Sequence, residues 1–535
     1  MPPRKITKAP YNTGTTNGNI SELMKELWQA AVNLRGSIEP SDYKRYVLPI
    51  IFLRFLSLRY EKRHAALKRM IAEPQGEYYQ LEYALNDPDE YRRVGAFVLP
   101  EAARWDNIRK NAQADDIKNQ LDAILELLEN TYPELKGLLP RIYAGSNLER
   151  ENVTGLINLF SKELFERDYS NEDLIGRVYE YFIGEFASSE GKRGGEYFTP
   201  SSIVRLLVAM LEPESGTVFD PCCGSGGMFV QSDVFTHHSG KLSFYGQESK
   251  DFTYRLCRMN LFIHGLGGKI EMGNSYIDDK HDTLKADFVL ANPPFNDGSK
   301  GENGWGADKI PANDPRLRVG DAKLALSPRN ANPMWMLHFL YHLKEGGTAG
   351  FVMATGELSS SETARLEVRK ALVDGNYVDC IVQLSGQLFA NTQIPCTLWF
   401  LSKNRSGEKG YRARMGEILF IDARKLGALL PGSRKQKELS EADLEQVAAV
   451  YRQFKRTGAP EAVPGFCRVA TINEVREQKY ALSSGRFVGS PDADDDEVDF
   501  DIKMPHLVTT LKDQFKQSAK LESEIQGVLR EVGYE

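Results

Sequence analysis

Chemistry is concentrated in the stretch Val289-Leu290-Ala291-Asn292-Pro293-Pro294-Phe295. An exocyclic aromatic amine is a weak nucleophile because its lone pair is delocalised into the ring. Acceptors facing its N–H groups draw the nitrogen toward tetrahedral geometry and free that pair. The Asn292 amide oxygen is one acceptor, and the Pro293 carbonyl can be a second. Two consecutive prolines fix φ and carry no N–H donor, so Pro293 and Pro294 present carbonyls on a stiff turn. Phe295 offers a flat face for base stacking, typically worth about 1–3 kcal/mol. That would offset much of the few kcal/mol needed to extrude a base. Standing alone, the same four residues describe nothing more than a rigid turn after a strand.

A second stretch changes the weighing. Val218-Phe219-Asp220-Pro221-Cys222-Cys223-Gly224-Ser225-Gly226-Gly227 runs from an apolar strand through an acid into a glycine turn that opens a helix. Glycines let backbone approach a ligand closely, as in nucleotide-binding turns. The next strand ends on Glu248, 24 positions after Gly224. A carboxylate about 20 residues beyond such a turn meets ribose hydroxyls. Turn and acid together point to a nucleoside-type ligand, and no G-x-x-x-x-G-K-[ST] motif suggests ATP hydrolysis.

Two other clusters carry less. Cys222-Cys223 lacks the two-residue gap of a zinc ligand pair, so both are expected to be small buried thiols under the loop. His338 and His342 are spaced for one helix face, but Phe339 stands where a zinc-protease motif needs Glu, and core histidines are expected. No metal is called for.

These motifs need a scaffold. Residues 1–19 read as a disordered tail and 20–170 as a helical domain, with Val47, Leu48, Ile51, Phe52, Phe55 and Leu56 striping one helix. From 171 to 405, β-type runs at 217–219, 242–246, 287–291, 349–353, 378–384 and 397–401 alternate with helical ones. That order predicts a largely parallel, doubly wound α/β sheet. Between Asn296 and Asn332 no element is evident, and long irregular stretches are commonly lids or binding loops. An extension is expected over 406–490, an acidic linker over 491–505 and an amphipathic helix over 506–535. The seam of that helix (Leu507, Leu511, Leu521, Ile525, Leu529, Val532) would cap this chain's own core or dock another chain.

Composition bounds the rest. The chain has 535 residues, 41% of them hydrophobic and 26% charged, the balance of a globular protein. No run of 18 apolar residues suggests a membrane span, and six scattered cysteines suit a reducing cytoplasm. The net charge of −7 speaks against unaided grip on nucleic acid, which calls for a basic excess.

Asp220–Phe229 with Asn292–Phe295 resembles the amino-methyltransferase pattern. Gly195-Glu196-Tyr197-Phe198-Thr199-Pro200, Leu34-Arg35-Gly36-Ser37 and Leu139-Pro140-Arg141-Ile142-Tyr143 resemble the modification subunit of type I restriction–modification systems. The resemblance runs from about residue 20 to 400 and weakens beyond. It implies a Rossmann-like S-adenosyl-L-methionine-dependent methyltransferase sheet behind an all-α domain, and methylation of adenine N6 in double-stranded DNA. Glu196, Tyr197, Phe198, Thr199, Pro200 and Ser201 would close over the methionine end of the cofactor. Asp220, Gly224, Ser225, Gly226 and Gly227 would hold its backbone, Glu248 its ribose, and Asn274 would sit beside its adenine. Asn292, Pro293, Pro294 and Phe295 would hold the target base. The resemblance also accounts for the charge, because a DNA specificity subunit, a second copy of this chain and, in some complexes, a restriction subunit share the work. A protein-glutamine methyltransferase, a silent scaffold and an NAD-dependent oxidoreductase are the rival readings.

Overall fold

The computed structural model describes residues 17–36, 38–162, 174–189, 199–298, 305–389, 393–408, 410–430, 433, 436–489 and 500–531. Its N-terminal region is helical, built on Asn17–Asn33, Pro40–Ala72, Ile117–Thr131, Arg150–Leu159 and Leu174–Ser189. Residues 1–16 of the expected tail lie outside the described residues, and helix already begins at Asn17. In Pro40–Ala72 a proline takes the first turn, where its missing N–H costs nothing. The stripe from Val47 to Leu56 is buried as its spacing predicts. Leu256, Met259 and Ile263, from helix Asp251–Ile263 of the following α/β region, join the same core. The helical region is therefore packed onto the sheet domain.

Strands follow in chain order: β1 (Gly216–Asp220), β2 (Leu242–Glu248), β3 (Gly268–Met272), β4 (Ala286–Ala291), the small hairpin β5 (Arg318–Val319) and β6 (Ala322–Lys323), β7 (Leu343–Ala354), β8 (Val378–Leu384), β9 (Cys396–Ser402), β10 (Glu417–Ala423), a second hairpin β11 (Ala428–Leu429) and β12 (Lys437–Glu438), and β13 (Cys467–Thr471). Nine of them form one sheet in the order β13-β10-β8-β9-β7-β4-β1-β2-β3. β1 lies parallel between β2 and β4, whereas β9 runs antiparallel between β7 and β8. Every residue of β8 and β9 is buried, the pattern of strands covered on both faces. Helices Ser201–Leu211 and Glu441–Arg456 cover one face, and Asn332–His342 and Thr363–Asp374 the other.

Two expected boundaries differ from this arrangement. The sheet does not stop at 405, because the segment 406–490 supplies β10, parallel to β8, and β13, antiparallel to β10. The apolar run Ile418–Ile421 needs both faces covered and finds that cover only in this sheet. The acidic segment expected over 491–505 lies outside the described residues up to 499, and helix runs from Phe500 to Glu531. Leu511, Leu521, Ile525 and Leu529 of the seam are exposed, so they do not cap this chain's core. The side chain of Leu507 and residue Val532 lie outside the described residues.

Candidate active site

In open α/β sheets, ligands bind beyond the carboxyl ends of the strands where the strand order reverses. Here the order reverses at β1, and the predicted residues from Asp220 to Phe295 lie at or just after the ends of β1, β2, β3 and β4, while Thr199–Ser201 precede β1. After β1 the chain turns sharply: Gly224 and Gly226 take φ of +53° and +81°, a left-handed conformation that glycine adopts without strain. A Cβ at Gly226 would meet Cys257 Sγ at 3.0 Å. The Gly224 N–H donates to Glu248 Oε2 (3.1 Å), tying the turn to the end of β2. The Lys250 N–H donates to Glu248 Oε1 at 2.9 Å, so backbone amides hold both oxygens of that carboxylate. Asp220 ends β1 and accepts from the Cys222 N–H at 3.0 Å. Burial pushes its carboxyl up to about 7, against the lowering effect of the Cys222 bond.

After β3, Asn274 Oδ1 accepts from the Tyr276 N–H at 2.9 Å, and Ser275 Oγ donates to the Pro221 carbonyl at 2.5 Å. Buried Arg316 clamps this segment, donating to the carbonyls of Ser275 (2.8 Å) and Tyr276 (2.7 Å). Asp314 balances that guanidinium through Nε and Nη2 at 2.9 and 2.7 Å.

After β4, Asn292 is buried and its amide nitrogen donates to Thr199 Oγ1 at 2.9 Å. That bond orients the amide, nitrogen toward Thr199 and oxygen to the other side. Phe295 is half-buried and meets the ring of Phe389 edge to face, with centroids 6.2 Å apart at 78°.

One cavity of about 1350 Å³ joins these parts. Thr199, Pro200, Ser201, Asp220, Gly224, Ser225 and Gly227 line it, as do Glu248, Asn274, Asn292, Pro294 and Phe295. Gly226 and Pro293 are buried and do not line it; Gly226 serves the turn's conformation instead. Glu196, Tyr197 and Phe198 lie outside the described residues. Three contributors escape sequence reasoning: Phe389, Arg316 and the Thr199–Asn292 bond all depend on chain contacts formed far apart in sequence.

Cys223 is buried, but Cys222 is only half-buried and lines the cavity, because the turn exposes one of the two neighbours. Burial pushes the Cys222 thiol up, which makes it a poor nucleophile. His338 and His342 are buried in the core, as expected. They approach Asp279, with potential ligand atoms within 4.8 Å of one another. The Arg316 guanidinium lies 3.2 Å from His338 Nδ1, so the cluster already contains its cation.

A family model described as N-6 DNA Methylase matches residues 170–496, and one described as HsdM N-terminal domain matches residues 23–178. Over 526 residues the chain is 38% identical to the type I restriction enzyme MjaIX methylase subunit of Methanocaldococcus jannaschii, covering 96% of this chain and 92% of that protein. The chain belongs to the N-6 DNA methylase family, among the type I methylase subunits. It is an adenine-specific DNA methyltransferase. This methylase subunit is also 38% identical over 464 residues to the type I restriction enzyme HindI methylase subunit of Haemophilus influenzae, covering 82% of this chain and 100% of that protein. The methyltransferase subunit of a type I restriction-modification system from Streptococcus thermophilus shares the fold, with a TM-score of 0.69 at 23% identity over 87% of this chain and 99% of that one. No helix among the described residues of the methylase subunit is long and apolar enough to cross a membrane.

Proposed function

We propose that this subunit transfers a methyl group from S-adenosyl-L-methionine to N6 of an adenine flipped out of double-stranded DNA, within a type I restriction–modification complex. The observation that carries the reading is convergence: the Asn292–Phe295 turn, the Gly224–Gly227 turn and Glu248 meet at one cavity. Its volume of about 1350 Å³ exceeds the 300–1,000 Å³ usual for one small-molecule site, leaving room for a cofactor and a base. The donor set also fits the cofactor: a carboxylate held by backbone amides suits a ribose diol, and Asp220 suits a cationic amino acid end. Bound there, S-adenosyl-L-methionine supplies an electrophilic methyl group on a sulfonium.

The remaining work falls to positioning. Glu248 accepts from the ribose hydroxyls, Asn274 stands beside the purine, and Thr199, Pro200 and Ser201 border the methionine end, with Glu196, Tyr197 and Phe198 preceding them. Asn292 Oδ1 and the Pro293 carbonyl accept the two amine protons of the adenine and turn its lone pair toward the methyl. Phe295 stacks on the base and Phe389 walls the slot. The excess proton passes to water, so no strong base is required. The helical region 20–170 and the domain that follows share the DNA with a specificity subunit, a second copy of this chain and, in complexes that cleave, a restriction subunit. The exposed seam of Phe500–Glu531 is the docking element for a partner chain.

Calorimetry with S-adenosyl-L-methionine tests the cofactor assignment. Wild type is expected to bind and Glu248→Ala to bind at least about tenfold more weakly, the loss of about one charge-assisted hydrogen bond. Equal affinities would remove Glu248 from the site, and no binding by wild type would remove the cofactor.

A further inference from the structure

The stretch from Asn296 to Asn332, expected as a lid or binding loop, carries the Arg316 clamp but is otherwise unused by the proposed mechanism. Its described portion is a packed wall. Trp305, Ile310, Leu317, Val319 and Leu324 are buried in one core with Tyr276 and Trp335, and Trp305 Nε1–H donates to the Ser327 carbonyl at 2.9 Å.

Where this wall ends, three asparagines close a ring beside the base turn. Asn296 follows Phe295 directly and takes φ +53°, a left-handed conformation that asparagine adopts more readily than most side-chain-bearing residues. Its N–H donates to Asn332 Oδ1 at 2.9 Å. Its own Oδ1 accepts from Asn332 Nδ2 and Asn330 Nδ2, both at 3.0 Å. The Ala331 N–H donates to the Asp297 carbonyl at 2.8 Å, and the Asn332 N–H donates to Asn330 Oδ1 at 2.9 Å. The second Asn332 Nδ2 proton goes to Glu357 Oε1 at 2.8 Å. Arg365 holds that carboxylate in turn, its Nε 3.1 Å from Oε2.

Asn332 is fully buried, whereas Asn296 is exposed. The ring therefore anchors the end of the Asn292–Phe295 turn to the interior, with Asn332 as its most deeply buried member. Only an amide fits there: Asn332 accepts one bond and donates two. A carboxylate would confront Glu357 and the Asn296 oxygen, and an apolar residue would leave buried polar groups without partners.

We propose that Asn332 is a positioning residue for methyl transfer: acting through Asn296, it fixes the Asn292 acceptor and the Phe295 ring against the reacting amine. This rests on reading Asn292–Phe295 as the adenine site. The wall from Trp305 to Asn332 is thus a brace, because the same segment carries Arg316, which clamps the cofactor side.

The test uses the full chain assembled with its specificity subunit, DNA from a host lacking modification and methyl-labelled S-adenosyl-L-methionine. kcat, KM for DNA and cofactor Kd are measured for wild type, Asn296→Ala, Asn332→Ala and the double variant. Each single variant is expected to lose about ten- to hundredfold in kcat, the scale of an ångström-level misplacement. Cofactor Kd should stay within about twofold, and the double variant should be no worse than the worse single one, as for residues acting as a unit. Multiplying losses, an unchanged kcat, or a matching loss of cofactor affinity would overturn the role. If Asn332→Ala does not fold, Asn330→Ala carries the test, since it removes one of two donors on the same oxygen. A smaller kcat loss at unchanged Kd supports the role there, and wild-type kcat overturns it. Wild type labelling no DNA would instead bring down the underlying adenine-site reading.

Discussion

If Asp220 receives the cofactor as proposed, cofactor binding should depend on pH near neutrality. Its carboxyl is buried at the end of β1 beside the cavity, and burial pushes it up to about 7 from an ordinary value near 4. If the ionised form is what receives the cofactor's cationic amino acid end, the competent fraction is about 0.1 at pH 6 and about 0.9 at pH 8. Apparent Kd for S-adenosyl-L-methionine should then be about tenfold weaker at pH 6 than at pH 8, with a proton released on binding at the lower pH. The sign for the protein without cofactor is opposite. A carboxyl with a raised folded value holds an extra proton when folded, so its contribution to stability is full below about pH 4 and is lost as pH rises toward 7. Titration calorimetry in two buffers of different ionisation enthalpy measures affinity and proton release together. Asp220→Asn should flatten the pH dependence. A wild-type ratio near one, or the same ratio in Asp220→Asn, would refute the assignment of this carboxyl to the cofactor.

Two further outcomes follow from the site and the C-terminal helix. Phe389→Ala should lower kcat/KM for DNA by less than the loss of a whole base stack (about 1–3 kcal/mol), because it only supports the Phe295 ring edge to face, while leaving cofactor Kd unchanged. A cofactor defect would instead place Phe389 outside the base slot. Deleting residues 500–535 should leave the melting temperature unaltered, because the seam of that helix is exposed, but should abolish co-purification with the specificity subunit. A full complex formed by the truncated chain would remove the docking assignment.

Local sequence announces most of the scaffold for physical reasons. β8 and β9 are central strands buried on both faces, so Val378–Leu384 and Cys396–Ser402 read as largely apolar runs, interrupted by Asp379 and Gln383 in the first. β3 and β13 are edges of the sheet; Gly268–Met272 exposes most of its residues and carries too little pattern to declare itself. β10 is as apolar as any central strand, yet lies beyond the segment where the motifs concentrate, and only pairing with β8 assigns it to this sheet. The site divides in the same way. Asn292–Phe295 and Gly224–Gly227 are contiguous, and their chemistry is readable from residue type. Phe389 reaches Phe295 from another strand end, and Arg316 and Asn332 act through carbonyls and amides of distant backbone. Such contacts leave no local periodicity or spacing to detect. The helix Phe500–Glu531 is amphipathic in sequence, and only the exposure of its seam shows that it does not cap this chain's own core.

In the proposed mechanism, Asn292 activates the N6 amine of adenine. The most direct measurement is label transfer from methyl-labelled S-adenosyl-L-methionine to unmodified DNA by the chain assembled with its specificity subunit, followed by digestion to nucleosides. All label should elute as N6-methyldeoxyadenosine, and Asn292→Ala should transfer at least about a hundredfold less with cofactor affinity intact, the scale for losing one preorganised acceptor. Label in any other nucleoside, or equal transfer by Asn292→Ala, would contradict it.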